Sequence, residues 1–336
     1  MRVSLRPMRL RFRAPVVTAY GELTERELIE LELIGADGVV GVGEAAPLEP
    51  YDGVALGAVR EALEAYRAVL EAGEGASGGE LLDACRQIAD LPQALAAVDL
   101  ALWDRAGRRE GRPVAALLAG DPALRVPVSR LVGALAPPQA AAEATAAVRA
   151  GFRCLKVKVA RGDDEARLAA VRQAIGPDVE LRLDANGAWT LEQATEQIGR
   201  LARFSPALIE EPVHGPQALR ALSARTQVPL ALDESATVPG AIAAGVAAAV
   251  VLKISSSGGI SALLARASLA RAAGSEVYLG SSFDGPVGVA AALHAAAALA
   301  PLPACGLATL SLFADLEDPF PAREGAITVP ARPGLR

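Results

Sequence analysis

From residue 126 onward, short apolar runs are separated by helical stretches, and this alternation constrains the fold more than any other feature. The runs are "VPVSRLVG" (126–133), "CLKVKVA" (154–160), "ELRLDANG" (180–187), "ALIEEPV" (207–213), "PLALDES" (229–235), "AVVLKISS" (249–256), "EVYLGSS" (276–282) and "PACGLATL" (303–310). Eight such units in about 190 residues predict an α/β fold, a modified TIM-type (β/α)8 barrel with its last helix cut short. The runs are apolar on both faces, as parallel strands covered by helices are. The first 120 residues have a different rhythm. "MRLRFRAPVV", "RELIELELIGADG" and "VVGVGEAAP" alternate like antiparallel strands, with "ADG" as a turn, and helical periodicity follows over 55–72, 78–89 and 92–108. The expected organisation is an α+β domain over 1–120, a barrel over 121–310 and a returning segment over 311–336 that packs on the first domain.

Composition narrows the function classes. The 336 residues are 52% hydrophobic and carry a net charge of −6, with both signs mixed along the chain. No basic face and only 4% aromatic residues argue against nucleic acid as a partner. The stretch nearest to a membrane span, "VPGAIAAGVAAAVVL", is short and broken by glycine, and the basic start "MRVSLRPMRLRFRAP" has no apolar core of a secretory signal. Cys85, Cys154 and Cys305 are far apart and odd in number, as expected of free thiols in a reducing cytoplasm.

The barrel charges come late in their runs. Lys156 and Lys158, two apart on a strand, point the same way, while Leu155, Val157 and Val159 point the other way. Asp184, the Glu210–Glu211 pair, the Asp233–Glu234 pair and Lys253 end the runs that follow. Active sites of such barrels form at this end. One charge at a strand end reads as a structural ion pair; the whole set in this order reads as a site. Three lysines against five carboxylates leave a deficit of positive charge that a divalent cation would balance. Carboxylates from three successive strands suit Mg2+, though alternation does not say which member of each acidic pair points inward. A lysine beside a cation and a second ammonium is expected to have a lowered pKa and to serve as a general base. Asn186 is placed behind the ligands, Trp189 in loop packing and His294 in a structural role, and His214 stands near the mouth. Ser255, Ser256 and Ser257 before Gly258–Gly259, and "GSSFDGPVG" with Gly280, Ser281 and Ser282, read as anion-cradling turns and candidate substrate contacts.

The pieces "KVK" (156–158), "DANGAW" (184–189), "IEEP" (209–212), "LDES" (232–235) and "LKISSSGG" (252–259), in this order, resemble the enolase superfamily in its muconate-cycloisomerase-like subgroup. The resemblance covers nearly the whole chain. It implies an α+β capping domain over the barrel, Lys158 as acid/base with Lys156 as its helper, and Lys253 on the opposite face. It further implies Asp184, Glu210 and Asp233 as ligands of Mg2+ (or Mn2+), with Glu211 and Glu234 behind them. The loops "VVTAYGELTERE" with Tyr20 and "GEAAPLEPYDG" with Tyr51 would close over a small carboxylate substrate, and a homo-oligomer fits the resemblance. Dipeptide epimerases of the subgroup carry Asp-x-Asp on the eighth strand, where this chain reads "CGLATLSLF" without an acid. The seventh and eighth runs look most like the o-succinylbenzoate synthases, dehydrating enzymes of menaquinone biosynthesis, although Phe283–Asp284 departs from their usual pattern. N-acylamino-acid racemase, dipeptide epimerase and muconate cycloisomerase remain the alternatives within the superfamily. A class I aldolase with Lys253 as Schiff base is the distant one, since it leaves the carboxylates without a task.

Overall fold

The computed structural model describes residues 1–18 and 21–336. Three antiparallel strands open the chain: β1 (Arg2–Thr18), β2 (Gly21–Ile34) and β3 (Val40–Ala45), paired in that order. Period-two alternation gives β2 two apolar faces. Ile29, Leu31 and Leu33 point into the core of the first domain, and Leu28 points into the barrel core. Four helices follow: α1 (Glu49–Asp52), α2 (Leu56–Ala72), α3 (Gly78–Ile88) and α4 (Pro92–Glu110). In α2 the buried side chains Val59, Ala62, Leu63, Tyr66 and Leu70 recur at helical spacing and form one apolar stripe. In α3 a capping box between Ser77 and Glu80 fixes the start. The close packing of α4 on β3 depends on glycine. A methyl group at Gly43 would stand 1.8 Å from the Ala97 carbonyl oxygen, and one at Gly41 would stand 2.0 Å from that of Ala101.

The barrel is a seven-stranded sheet. After β4 (Arg125–Pro127) come β5 (Arg130–Val132), β6 (Cys154–Lys158), β7 (Glu180–Asp184), β8 (Leu208–Glu210), β9 (Leu230–Leu232), β10 (Ala249–Lys253) and β11 (Glu276–Gly280). Strands β5 to β11 lie side by side in chain order, all parallel. The expected eighth strand is only a bridge. Cys305 and Gly306 close the ring through backbone bonds to Pro127, Ser129, Leu279 and Ser281. Pro301 and Pro303 bring no N–H to a ladder, so the pairing does not extend back before Cys305 through them. Two further differences have local causes. The run 126–133 is split, because Arg125–Pro127 pairs with β12 (Ala326–Thr328) of the tail rather than with the barrel. Between β9 and β10 a 3-10 turn (Glu234–Thr237) stands where a helix is expected, since Pro239, Gly240 and Gly245 interrupt the segment. The tail touches the first domain where Asp315 pairs with Arg11 at 2.7 Å and Arg336 with Glu30 at 3.4 Å. All three cysteines are free and buried, and no helix among the described residues is long and apolar enough to cross a membrane.

His294 ties barrel and tail together. Its Nδ1 accepts a hydrogen bond from the Ala115 N–H (3.0 Å), and its Nε2 lies 2.9 Å from the Leu335 carbonyl oxygen. Both contacts are met by the neutral ring, and burial pushes its pKa down from 6.5 to about 4. The unfolded chain takes up this proton below pH 6.5 and the folded chain does not, so stability at this position is present above 6.5 and is lost as pH falls toward 4. The loss amounts to about 3 kcal/mol. The destabilisation by His294→Gln in urea titrations should therefore be largest at pH 7 and should shrink by about that amount at pH 4.

Candidate active site

Parallel register builds the site. Lys158 pairs in register with Asp184 and Asp184 with Glu210, so these three project together into the barrel mouth. Asp233 follows β9, and Lys253 ends β10 opposite Gly280. A Cβ at Gly280 would stand 3.3 Å from the Lys253 Cε, so glycine leaves room for that stem. These five charged groups and Lys156 line one cavity of about 470 Å3 between barrel and cap.

The carboxylate oxygens of Asp184, Glu210 and Asp233 lie within 4.8 Å of one another, and all three residues are buried. Lysines surround them. Lys156 bonds Asp184 (2.7 Å) and Glu210, Lys158 bonds Asp184 (2.6 Å) and Lys253 bonds Asp233 (2.6 Å). Burial opposes the ionised form of Asp184, but Lys156 and Lys158 outweigh it and hold this carboxyl well below the usual range. Burial raises Glu210, only partly offset by Lys156. For Lys156 burial opposes the charge, yet Asp184 and Glu210 outweigh it; Asp233 and Glu234 do the same for Lys253. Both ammonium groups are raised by these carboxylates, whereas the lowering expected from the sequence concerns lysines beside a bound cation. Each amine faces carboxylates more closely than it faces another cation.

The acidic pairs separate by backbone geometry. Glu211, at φ 38°, turns behind the mouth and accepts bonds from the Asp233 N–H (2.9 Å), the Ser235 N–H (3.2 Å) and the Ser235 hydroxyl. Burial raises its pKa to about 7. Glu234 accepts a bond from Asn186 Nδ2 (2.9 Å), while Asn186 Oδ1 accepts one from Lys158 (2.6 Å). Asn186 thus joins the base to the loop behind the ligands.

Other candidates divide. Tyr51 of α1 donates to Asp233 (3.1 Å), and its ring lies 4.0 Å from the Lys253 ammonium. Gly280, Ser281 and Ser282 line the cavity, whereas Ser255 and Ser257 do not, and Ser255 instead donates to the Ala46 carbonyl (3.0 Å). Tyr20 lies outside the described residues. His214 packs against Gly187 beside Glu211, away from the cavity lining, and Trp189 packs on the barrel core. The N–H groups of the turn after β11 are taken by a carboxyl group of the protein, whose pKa burial and Asp284 push up to about 7. Glu44 of β3 accepts bonds from the N–H groups of Gly285 (2.7 Å) and Val287 (3.3 Å) at the start of the helix Pro286–Leu299. Sequence reasoning missed Glu44 and Tyr278. The phase of β11 carried the signal for Tyr278, since it stands two residues before Gly280 and so on the same inward face.

The donor set fits a hard divalent cation. It comprises three carboxylates from successive strands, with open cavity on one side for water and substrate oxygens. Residues 139–335 match the family described as enolase C-terminal domain-like, and residues 1–119 match the mandelate racemase / muconate lactonizing enzyme N-terminal domain. The chain belongs to the enolase superfamily. An o-succinylbenzoate synthase from Thermobifida fusca strain YX is 40% identical in an alignment of 219 residues that covers 61% of this chain and 66% of that protein. Muconate cycloisomerase 1 of Rhodococcus opacus is 30% identical over 93% of this chain and 88% of its own length. Among solved structures, the dipeptide epimerase of Enterococcus faecalis V583, complexed with Mg and the dipeptide L-Leu-L-Tyr, has a TM-score of 0.90 at 26% identity. That comparison covers 99% of this chain and 98% of the other. Replacement Asp184→Asn should weaken Mn2+ binding, followed by the electron paramagnetic resonance of free Mn2+, by on the order of 100-fold or more with the circular dichroism unchanged.

Proposed function

We propose that this enzyme is an o-succinylbenzoate synthase, which dehydrates 2-succinyl-6-hydroxy-2,4-cyclohexadiene-1-carboxylate to the aromatic product. The observation that carries this reading is the eighth segment, where Ala308 and Thr309 line the cavity and no acid stands between Cys305 and Phe313, so a dipeptide ammonium would find no carboxylate on this segment. Val16, Leu23, Leu48, Leu131 and Phe283 add apolar wall, suited to a carbocyclic ring. The 40% identity to a relative of that name supports the same choice.

Asp184, Glu210 and Asp233 would hold the cation, and Mg2+ bound there supplies electrostatic stabilisation for the charge that develops on the substrate carboxylate. The side chains do the rest. Lys158, kept in place by Asn186, takes the proton from the carbon next to the carboxylate. The C–O bond to the ring hydroxyl then breaks, and the proton returns from Lys158 to the departing oxygen as water. Lys253, as an ammonium on the other side of the cluster, offsets negative charge from that face. Lys156 steadies Asp184 and Glu210. Racemisation of an N-acylamino acid is the second reading, favoured by amines on two sides of one carboxylate cluster.

An ultraviolet assay of the cyclohexadiene substrate with Mg2+, beside polarimetry of N-succinyl amino acids, separates the two. Rapid loss of the diene is expected, and racemisation without it would move the function to a racemase. Lys158→Ala should lower turnover by on the order of 1,000-fold or more while the fold persists, and near-normal turnover would reject Lys158 as the base.

A further inference from the structure

Beneath the carboxylate cluster the barrel holds a second polar layer that the chemistry above does not use. Arg182 of β7 is among the largest fully buried side chains. Its Nε donates to Glu180 (2.6 Å) and its Nη1 to the Ala304 carbonyl (2.8 Å), so it spans the barrel floor from β7 to the eighth segment. Its guanidinium lies 4.3 Å over the centroid of the Tyr278 ring. Tyr278, on β11 opposite Val251, is 3% exposed and lines the same cavity as Asp184, Glu210 and Asp233.

The Tyr278 hydroxyl is buried and makes no well-formed hydrogen bond among the described residues, with the Glu210 carboxylate as its nearby acceptor. A buried hydroxyl left unpaired costs about 1–3 kcal/mol, and phenylalanine would fill the same space without that cost. The oxygen is therefore placed for something. Burial keeps the phenol protonated, as does the carboxylate of Glu210, which lies near enough to act on the hydroxyl as an acceptor. In this arrangement Glu210 is committed to Lys156 through Oε2. A carboxylate that turns from an ammonium to a cation needs a second anchor, because its free oxygen otherwise lets the group swing.

We propose that Tyr278 is a positioning residue for the metal site, its phenol donating to Glu210 when that carboxylate engages a divalent cation. The stacked Arg182 fixes the ring, and thereby the place from which the hydroxyl donates. The inference rests on the reading of Asp184, Glu210 and Asp233 as metal ligands.

The test needs no substrate. Mn2+ is titrated into wild-type and Tyr278→Phe proteins and followed by the electron paramagnetic resonance of the free ion, with urea unfolding of the metal-free proteins in parallel. The variant should bind Mn2+ on the order of 10-fold more weakly. Its metal-free urea midpoint should be unchanged or raised, because the substitution removes only an unpaired oxygen. Equal Mn2+ affinity in the two proteins would overturn the role of Tyr278 and leave the metal site standing. Weaker binding together with a lower metal-free midpoint would also overturn it, as a purely structural role predicts that pair of results. Failure of the wild type to bind Mn2+ would overturn both the inference and the metal reading beneath it.

Discussion

Three carboxylates brought within 4.8 Å of one another in a buried barrel mouth are the constraint to which the surrounding structure answers. Two like charges at about 4 Å repel by roughly 4 kcal/mol at the effective dielectric of a protein, far more than in bulk water. Such a cluster persists only if positive charge is supplied on several sides. Lys156 and Lys158 come from β6 and Lys253 from β10, so the compensation arrives from strands on both flanks of the acidic ones. A left-handed backbone at Glu211 and Asn186 serves the same end. It turns the excess carboxylate of the first pair away and sets an amide between Lys158 and Glu234.

The first domain completes the site by reaching into it. Tyr51 extends the electrostatic network of Asp233 and Lys253 across the interface, and Glu44 caps a barrel helix from β3. Arg26 of β2, also buried, donates to the Pro47 carbonyl (2.8 Å) and to that of Phe283 (3.3 Å), which fastens the turn after β11 to the cap. The apolar half of the cavity therefore belongs to both domains. The contact between the two domains is built on backbone and carboxylate groups as well as on apolar area.

Much of this was legible in the chain, for identifiable reasons. Parallel strands covered on both faces leave continuous apolar runs, and a charge at the end of such a run is conspicuous; that is why Lys156, Lys158, Asp184 and Lys253 stood out. Alternation could not divide Glu210 from Glu211, because the division depends on one residue leaving the strand geometry at φ 38°. The eighth segment forms only a bridge although "PACGLATL" is as apolar as the other runs, and Pro303 at its start brings no donor to a ladder. The N–H groups of the turn at Gly285 are taken by Glu44, some 240 residues earlier in the chain, a distance over which local patterning carries no information. The raised pKa values of the Lys156 and Lys253 ammonium groups have a related cause. Proximity of cations was visible in the sequence, and the closer approach of carboxylates was not.

The barrel closes through the backbone of Cys305 and Gly306 alone, and this has an evolutionary consequence. The residues that follow, Ala308 and Thr309, face the cavity yet carry no rung of the sheet. Their side chains can be exchanged without breaking the ring, while a similar change on β6 to β10 would disturb the charge balance. Selection acting on the two positions could therefore alter which substrate is accepted and leave the proton-transfer machinery untouched. Such a division offers a physical route by which one scaffold diverges into lyases, epimerases and cycloisomerases.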